Sequence, residues 1–400
     1  MLFRSKNSWP ADRPLREGFT TGTAAAAAAC AAVAALLGGG APVFVSVPLP
    51  PLQGGRLEIP VAAVRSGRTA GHPWALATVI KDGGDDPDAT HGLRLQVLAS
   101  PVPPPLAGAV PAGLVDGFPL PVFLYAGKGV GRVTMPGLPL PPGEPAINPD
   151  PRRQIAAAVC EAAMPRGYGG ELHLTISVPR GEERARRTLN PRLGIVGGIS
   201  ILGTRGIVRP YSHQAWRTAI VQAVDVAEAA GISTLLFSTG RRSERLLRSL
   251  YPYLPDQAFV QAADQAAFSL RLAGRRSFSC LVWGCFPGKL LKLAQGLEWT
   301  HARSAPADLA LPVSLWREHG DPADLDGLPT VAGILSRMRE LSPDGHRAVL
   351  AVLAERALAA LASWLREENG PAGPPELRLH VFSPEGEAVS LTWRWEERVP

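Results

Sequence analysis

The clearest pattern in the sequence is a run of small apolar residues near its beginning. Residues Ala24–Leu37 contain almost no polar side chain, follow Thr23 and precede the glycines of Gly38–Gly40. Threonine is a good N-cap, alanine is the best helix former, and glycine ends helices. The pattern therefore predicts a helix over Ala24–Leu37 that is capped by Thr23 and, lacking a polar face, is buried on most sides.

Short apolar runs separated by proline and glycine follow this helix, as is typical of antiparallel strands. The runs are Val43–Val47, Leu57–Val64, Ala75–Ile80, Leu93–Leu98 and Gly129–Thr134. A predicted helix near Pro151–Ala163 and a predicted strand at Glu171–Val178 complete this part of the chain. We therefore expect residues 1–185 to form an α+β domain.

From about residue 190, predicted strands alternate with predicted helices. Strand Thr234–Ser238 follows a helix that Ser212 would cap, and a second helix near Asp256–Ala273 leads to strand Phe278–Trp283. A third helix begins at Pro287. Alternation of this kind predicts parallel strands with helices on both faces, and such sheets bind ligands at the carboxyl ends of their strands. Residues 186–310 are the predicted α/β domain.

The last part of the chain, residues 311–400, is predicted to be a helical extension that ends in a β-hairpin and packs on the α/β domain. Its main helix is predicted at His346–Glu368. Two strand-like runs, Glu376–Phe382 and Glu387–Trp395, flank a Pro-Glu-Gly turn.

Composition narrows the range of partners. The formal charge of +6 is carried mainly by arginine, whose fork suits carboxylates and phosphates, although a general compositional bias explains it equally well. No zinc-finger spacing, long basic run or basic-aromatic interleaving supports a nucleic-acid partner. Ala24–Leu37, the most apolar run, is shorter than the roughly 20 residues that cross a bilayer. We therefore expect a cytoplasmic protein with no membrane partner.

The four cysteines, Cys30, Cys160, Cys280 and Cys285, lie inside apolar segments. They are too few for a disulfide scaffold, and Cys280 and Cys285 have no second pair or nearby histidine to complete a zinc site. We expect buried, reduced thiols and no metal site in the protein.

The segment Asn190–Pro210 is unusually rich in glycine. Five glycines within thirteen positions indicate sharp turns or a close backbone approach. The segment is neither a dinucleotide fingerprint nor a Walker loop, because Thr204-Arg205 follows Gly198-x-x-x-x-Gly203 where Lys-Ser/Thr is required. It is either a structural turn or a ligand-contacting loop, and we favour the second.

Two further loops follow predicted strands and end where helices begin. The free N–H groups at these helix starts would attract anions. They are Ser238–Glu244, which contains Arg242, and Gly284–Lys289. With the glycine-rich segment, we expect three loops to converge on one sheet edge.

Other polar residues form less specific patterns. The segment Lys81–Gly92 has four aspartates and a histidine, but it lacks the calcium-loop spacing, so turn-forming aspartates and a polar-ligand site are both open. Gly127–Thr134 carries two cations, Lys128 and Arg132, between glycines. His301 follows the third helix near the same predicted edge and is a candidate for chemistry.

Taken together, these segments resemble the CbiD family, the cobalt-precorrin-5B C-1 methyltransferases. The matching segments, in the order of the family, are Arg16–Thr23, Lys81–Gly92, Gly129–Thr134, Ala146–Pro149, Asn190–Pro210 with Ser212, Thr239-Gly240 with Arg242–Glu244, Pro287–Lys289, and Thr300-His301. They cover roughly residues 15–305. One departure is Arg241, which stands where a second glycine is expected.

The resemblance implies S-adenosylmethionine as methyl donor and an acidic, cobalt-containing tetrapyrrole as acceptor, with cobalt present only in the substrate. The implied reaction methylates C-1 of cobalt-precorrin-5B to give cobalt-precorrin-6A in anaerobic cobalamin biosynthesis. The implied fold is an α+β domain like the second domain of ribosomal protein S5, followed by a Rossmann-like domain. Another corrinoid-pathway enzyme, such as a nucleotide-dependent oxidoreductase, and a non-catalytic tetrapyrrole-binding protein are the alternatives; a homo-oligomer is possible.

Site residues follow from the resemblance and from the loops. A base or an orienting group would be His301 or Asp82. The methyl donor would contact Gly197, Gly198, Gly203, Thr239, Gly240 and Glu244, the last through its ribose hydroxyls. The carboxylates of the acceptor would contact Arg205, Arg242, Lys289, Lys128, Arg132 and His91.

Overall fold

The computed structural model describes residues 14–104, 110–301, 306–366, 375–383 and 388–389. The chain divides into two compact units, Met1–Ser212 and His213–Pro400. Each unit has its own hydrophobic core.

The described residues of the first unit form three α-helices, α1 (Thr21–Leu36), α2 (Pro149–Ala163) and α3 (Gly181–Ala185). Its longer strands are β2 (Phe44–Pro48), β3 (Arg56–Pro60), β4 (Ala63–Thr69), β5 (His72–Ile80), β6 (Arg94–Ser100), β7 (Val110–Leu114), β8 (Val122–Ala126) and β11 (Leu172–Ser177). Two-residue strands are β1 (Gly18–Phe19), β9 (Gly129–Val130), β10 (Arg132–Val133), β12 (Ile195–Val196), β13 (Gly198–Ile199) and β14 (Ile207–Val208).

Helix α1 confirms the predicted alanine helix, and nearly all of it is buried in the first core. It begins three residues before the prediction, because Thr20 is the N-cap and its side chain accepts a hydrogen bond from the Thr23 N–H. The Thr23 hydroxyl instead donates to the Gly206 carbonyl at 2.8 Å. Helix α1 packs on α2 and on strands β5 and β6, and its alanine side chains allow the close approach.

A six-stranded sheet in the order β4-β5-β6-β11-β8-β7 forms the body of the first unit. Strands β8 and β11 are parallel, and the other neighbouring strands are antiparallel. The predicted strand Leu57–Val64 is in fact two strands, β3 and β4, since Pro60 has no N–H to continue a ladder. Strands β7 and β8 were missed by the sequence analysis.

The glycine-rich segment belongs to the first unit. Strand β14 pairs with β1, β12 with β10, and β13 with β9. These pairings move the predicted boundary at 185/186 to Ser212/His213, because residues 195–208 complete small sheets with first-unit strands.

The second unit contains α4 (His213–Ala229), α5 (Arg241–Leu250), α6 (Ala266–Gly274), α7 (Pro287–Ala294), α8 (Ala310–Trp316), α9 (Val331–Leu341) and α10 (Pro343–Arg366). Its strands are β15 (Thr234–Ser238), β16 (Phe259–Gln261), β17 (Cys280–Cys285), β18 (Glu376–Phe382) and β19 (Ala388–Val389). The sheet order is β16-β15-β17-β18-β19. The first four of these strands run parallel, as was predicted for β15 and β17 alone, and β19 is antiparallel to β18.

Helices cover both faces of this sheet. One core joins the sheet to residues of α4, α6, α7 and α10, and a smaller core on the other face joins it to Leu247 of α5 and to Tyr251. Strand β18 adds a parallel strand to the sheet, so the predicted extension of residues 311–400 contributes to the α/β core as well as packing on it.

Two predictions for the second unit are matched only in part by the described residues. The predicted helix Asp256–Ala273 is wrong in its first half, because Phe259–Gln261 forms β16 and pairs with β15; sheet pairing overrides local propensity there. Of the predicted strand Glu387–Trp395, the described residues include only Ala388–Val389, and the remainder lies outside them.

Helix α10 is long and apolar enough, by length and composition alone, to cross a membrane, which the sequence analysis did not single out. More than half of its apolar window is buried. The helix packs against α6, α7 and α9 in the second core, which explains its apolar character.

The close pairing of β9 and β13 generates a first prediction. A Cβ on Gly198 would lie 2.2 Å from the Gly129 carbonyl oxygen, whereas a Cβ on Gly197 would meet nothing within 4 Å, although Gly197 has φ +80°. We expect Gly198→Ala to lower the free energy of unfolding by about 3 kcal/mol through overpacking. The matched variant Gly197→Ala should cost about 1 kcal/mol, from its left-handed backbone alone. Urea denaturation measures both, and equal losses would contradict this packing.

Candidate functional site

The glycine-rich segment and the start of α1 are joined by several hydrogen bonds. The Thr20 N–H donates to the Gly206 carbonyl at 2.9 Å, and the Gly22 N–H donates to the Leu202 carbonyl at 3.0 Å. The buried Gln154 side chain of α2 donates to the Thr23 hydroxyl and to the Pro48 carbonyl. These amides at the start of α1 already have partners within the protein.

Three of the four glycines predicted to contact the methyl donor lie in the glycine-rich segment, and their surroundings differ. Gly198 is packed against Gly129, and a Cβ on Gly203 would meet the Thr20 side chain. Gly197 alone among the three borders open space. The sequence analysis interpreted all three as ligand contacts, but packing within the first unit is sufficient reason for two of them to be glycine.

The acidic loop of residues 81–92 lies against strand β1. The Phe19 N–H donates to the Asp82 carbonyl, and the Asp85 N–H donates to the Arg16 carbonyl, each at 2.9 Å. A Cβ on Gly84 would lie 2.2 Å from the Arg16 carbonyl oxygen. The loop and the β1 segment therefore fix each other through their backbones.

Asp82 is held in this loop as an ion-pair partner. Its carboxylate accepts hydrogen bonds from the Arg16 guanidinium and, at 2.9 Å, from the Gly84 N–H. The hydrogen bond from Arg16 is the main reason why the pKa of Asp82 lies below its ordinary value. A lowered pKa makes a weak base, which argues against the predicted role of Asp82 as a base.

His91 and Lys81 complete the acidic loop. The Nδ1 atom of His91 accepts a hydrogen bond from the Gly83 N–H at 3.0 Å, while 54% of the side chain stays exposed. Lys81 is almost fully buried and donates to Asp88 Oδ2 at 2.7 Å. Burial would raise the pKa of Asp88, but Lys81 and two hydrogen bonds from Thr90 outweigh it and lower that pKa.

Three cations predicted to bind substrate lie on the first unit, namely Lys128, Arg132 and Arg205. All three are exposed, and none forms an ion pair with the part of the chain that the structure describes. Their charges are therefore available to an anionic ligand.

In the second unit, the carboxyl ends of β15 and β17 form a topological switch point, the place in the sheet where the order of the strands changes direction. It is called the switch point below. The chain passes from β15 to β16 on one side and from β17 to β18 on the other, so the helices that follow leave in opposite directions. Open α/β sheets bind their ligands in the crevice outside such a point. The loops there are Thr239-Gly240, before α5, and Phe286, before α7.

The two helix starts at the switch point are open. A Cβ on Gly240 or Gly288 would meet nothing within 4 Å. Neither α5 nor α7 has a hydrogen bond from an N-cap side chain. The Arg242 guanidinium lies 4.7 Å from the centre of the Phe286 ring and connects the two loops.

Glu244 is buried beneath this loop. Its carboxylate accepts hydrogen bonds from Arg248 at 2.9 Å and from the Gln261 amide at 2.5 Å. Arg248 also lies over the Phe259 ring and pairs with Asp256. Glu244 therefore ties α5 to the end of β16.

Lys289 and Lys292 hold the segment that contains His301. Lys289 pairs with Asp264 and donates to the Thr300 carbonyl at 2.6 Å. Lys292 is buried and donates to the carbonyls of Thr300 and His301 at 3.2 and 2.9 Å. Burial, followed by the charge of Lys289, lowers the pKa of Lys292.

The His301 ring stacks on Trp299 with centroids 5.3 Å apart. Lys289 is thus engaged within the unit, which argues against its predicted role as a substrate cation.

Asn190–Pro210 belongs to the first unit, so it is not one of the loops of the α/β sheet, contrary to the prediction. The other two loops do share an edge. Sequence reasoning missed Gln261, Asp264 and Lys292. The spacing of Lys289 and Lys292, three residues apart in a chain with few lysines, was the one available signal, since it places both on one helix face.

The four cysteines are free, and Cys30 is only partly buried, unlike the prediction. Burial raises the pKa of Cys30 to about 11 and that of Cys285 to about 12, so both remain thiols at neutral pH. Within the described residues, no group of three or more His, Cys, Asp or Glu side chains could hold a metal ion.

The second unit is thus an open α/β structure with a switch point of the kind that binds ligands. The first unit presents three exposed cations, Lys128, Arg132 and Arg205, that form no ion pair with the described residues. A family model described as CbiD matches residues 8–210. The chain belongs to the CbiD family, which confirms the resemblance found in the sequence.

Similar proteins extend this match into the second unit. A protein of Nitratidesulfovibrio vulgaris named cobalt-precorrin-5B C(1)-methyltransferase is 51% identical over 345 residues, which cover 84% of each chain. A protein of the same name from Geobacillus sp. strain WCH70 is 40% identical over 295 residues, covering 74% of this chain and 76% of the relative.

One solved structure is also similar, a cobalamin biosynthesis protein (cbiD) from Archaeoglobus fulgidus. It is 28% identical and covers 70% of this chain and 79% of its own. The TM-score is 0.36, which is too low to support a comparison of architecture.

The buried Lys81–Asp88 pair generates a prediction with a defined pH dependence. Lys81→Met should cost about 3 kcal/mol of unfolding free energy at pH 7, because it removes the buried ammonium group that pairs with Asp88 and leaves that largely buried carboxylate only its hydrogen bonds from Thr90. In the wild type the lowered pKa of Asp88 stabilises the fold above the unfolded value of about 3.9, and this contribution is lost as the pH falls. Without Lys81 the folded-state pKa of Asp88 rises and this contribution shrinks, so the deficit should be smaller at pH 4 than at pH 7.

The matched control for this prediction is the double variant Lys81→Met/Asp88→Asn, which removes both charges. It should recover a large part of the loss at pH 7 and show little of the pH dependence. Urea denaturation at pH 4 and pH 7 gives these values. A deficit that is equal at both pH values and is not recovered in the double variant would contradict the buried ion pair.

Proposed function

We propose that this protein transfers a methyl group from S-adenosylmethionine to C-1 of cobalt-precorrin-5B, giving cobalt-precorrin-6A in anaerobic cobalamin biosynthesis. The names of the relatives, together with 51% identity over 84% of the chain, support this reaction. Cobalt enters only as part of the substrate. The enzyme would act in the cytoplasm.

We further propose that the second unit is a Rossmann-like domain and that the first is related to the second domain of ribosomal protein S5. The parallel order β16-β15-β17-β18 with helices on both faces supports the first assignment. A six-stranded sheet that packs on α1, with α2 in the same core, supports the second.

The methyl donor is assigned to the switch point of the second unit, and this feature is the main structural support for the function. Open space above Gly240 and Gly288 allows a ligand to approach the backbone closely. The uncapped starts of α5 and α7 suit the carboxylate of the methionine moiety. Thr239, half-buried beside Gly240, lines the same loop.

Glu244 has a different role in this proposal from the one that the sequence suggested. Its carboxylate is 4% exposed and already accepts from Arg248 and Gln261. We therefore assign it to fixing the start of α5, and the ribose hydroxyls would have to find other partners.

Exposed cations are assigned to the carboxylate arms of the acceptor. Lys128, Arg132 and Arg205 on the first unit have no acidic partner among the described residues, and Arg242, whose guanidinium lies on the Phe286 ring, adds a cation at the switch point. His91 presents its exposed ring as a further polar contact. Lys289 is left out because Asp264 and the Thr300 carbonyl already occupy its ammonium group.

The reaction requires mainly that the methyl donor and the macrocycle are correctly positioned relative to each other. The carbon–sulfur bond of the sulfonium breaks as an electron pair of the macrocycle forms the new bond from C-1 to the methyl carbon, and neutral S-adenosylhomocysteine leaves. The donor is already activated, so alignment for in-line displacement supplies most of the rate enhancement. His301, whose backbone Lys292 holds and whose ring rests on Trp299, is the candidate for an orienting group or base.

Binding of the methyl donor tests the assignment of the switch point. Isothermal calorimetry should detect both S-adenosylmethionine and S-adenosylhomocysteine with the wild-type protein. Gly240→Val and Gly288→Val should each weaken binding at least tenfold, because the added side chain fills the open space at a helix start. Gly240 has an extended backbone that any residue adopts, so the fold should be retained.

Gly169→Val is the matched control, since Gly169 borders open space in the first unit. Its donor affinity should equal that of the wild type. Absence of binding to the folded wild-type protein would refute the methyltransferase proposal. Unchanged affinity in both switch-point variants would refute the location alone.

A further inference from the structure

A cavity of about 400 Å³ lies in the first unit at the carboxyl ends of β8 and β11. These two strands are the parallel pair of the six-stranded sheet, so the segments that follow them reach the same sheet edge. Lys128 follows β8, and Arg180 follows β11. Arg186, just beyond α3, completes a set of three cations around the cavity.

The wall of the cavity between these segments is rigid backbone. A Cβ on Gly129 would lie 2.0 Å from the Val178 carbonyl oxygen, and a Cβ on Gly181 would lie 2.2 Å from the Gly129 carbonyl oxygen. The Val178 N–H also donates to the Lys128 carbonyl at 2.8 Å. The strands thus fix the attachment points of Lys128 and Arg180 relative to each other.

The three cations differ in their availability. Arg180 forms a bidentate pair with Glu183, at 3.0 and 3.1 Å. Lys128 and Arg186 are exposed and have no acidic partner among the described residues. Two carboxylates line the cavity, Glu183, which pairs with Arg180, and Glu182, which opposes the remaining two cations. The lining therefore has a net positive charge, with two cations free to meet an anion.

We propose that this cavity is a carboxylate-binding subsite in which Lys128 and Arg186 hold acidic side chains of the tetrapyrrole acceptor. The assignment rests on the proposed function for the identity of the acceptor. The volume of the cavity lies near the lower end of the range for small-molecule pockets, roughly 300–1,000 Å³. The cavity therefore suits one edge of a macrocycle together with the acidic side chains on that edge. Arg186, which the sequence analysis did not single out, is the new substrate contact.

Porphyrins with different numbers of carboxylate arms test this subsite. Uroporphyrin I carries acetate and propionate arms, and coproporphyrin I carries propionate arms alone. We expect Lys128→Ala and Arg186→Ala each to weaken uroporphyrin binding to the full-length protein about tenfold, as loss of a charge-assisted hydrogen bond does. The effect on coproporphyrin should be smaller. Fluorescence titration at low salt measures both affinities.

Two variants serve as controls for this experiment. Glu182→Gln removes the opposing carboxylate and should tighten uroporphyrin binding severalfold, which a merely structural role for the cavity would not produce. Arg65→Ala removes an exposed arginine of β4 without an acidic partner, several strands away in the same sheet, and should leave the affinity unchanged. Thermal unfolding should show that all four variants fold.

Unchanged uroporphyrin affinity in both Lys128→Ala and Arg186→Ala would overturn the subsite. Equal weakening by Arg65→Ala would overturn it too, since the effect would then be one of overall charge. Displacement of uroporphyrin by millimolar inorganic phosphate would show a general anion site and overturn the assignment to carboxylates. Binding of S-adenosylmethionine, measured on the same variants, should stay at the wild-type level, so failure of the subsite and failure of the methyltransferase proposal give different results.

Discussion

The hydrogen-bonded contact between the start of α1 and the glycine-rich segment is the interaction on which the first unit depends. Thr20, Gly22 and Thr23 bind the backbone of residues 202–206, and the Thr21 hydroxyl donates to the Ser200 carbonyl. Helix α1 is buried on nearly all sides, so its polar end must be satisfied within the protein. Because residues 195–208 also pair with β1, β9 and β10, this contact places the acidic loop and Gly129–Thr134 around one framework.

The sequence predicted the elements that have a strong local signal. The alanine helix, strand Thr234–Ser238 and the helix beginning at Pro287 are found where expected, because their propensity, burial and turn residues agree. Prediction failed where pairing decides the structure. Phe259–Gln261 reads as part of a helix but completes a parallel sheet, and the short strands of residues 195–208 have no periodicity of their own.

The candidate site was likewise predictable only where the sequence carries a local signal. Loops at the carboxyl ends of β15 and β17 could be predicted, since alternating strands and helices imply a parallel sheet with a ligand edge. The partners of individual side chains could not. Glu244 and Lys289 look like ligand contacts in the sequence, yet Arg248 and Asp264 engage them. Lys128 stays unpaired beside a cavity that only the pairing of β8 with β11 creates.

Transfer of a labelled methyl group tests the central claim most directly. The purified protein would be incubated with cobalt-precorrin-5B and S-adenosylmethionine labelled with ¹³C in its sulfonium methyl group, and the product examined by mass spectrometry and NMR. The account predicts one labelled methyl group attached to C-1, with one S-adenosylhomocysteine formed for each methyl transferred. A product without label, or a label at another ring position, would contradict it.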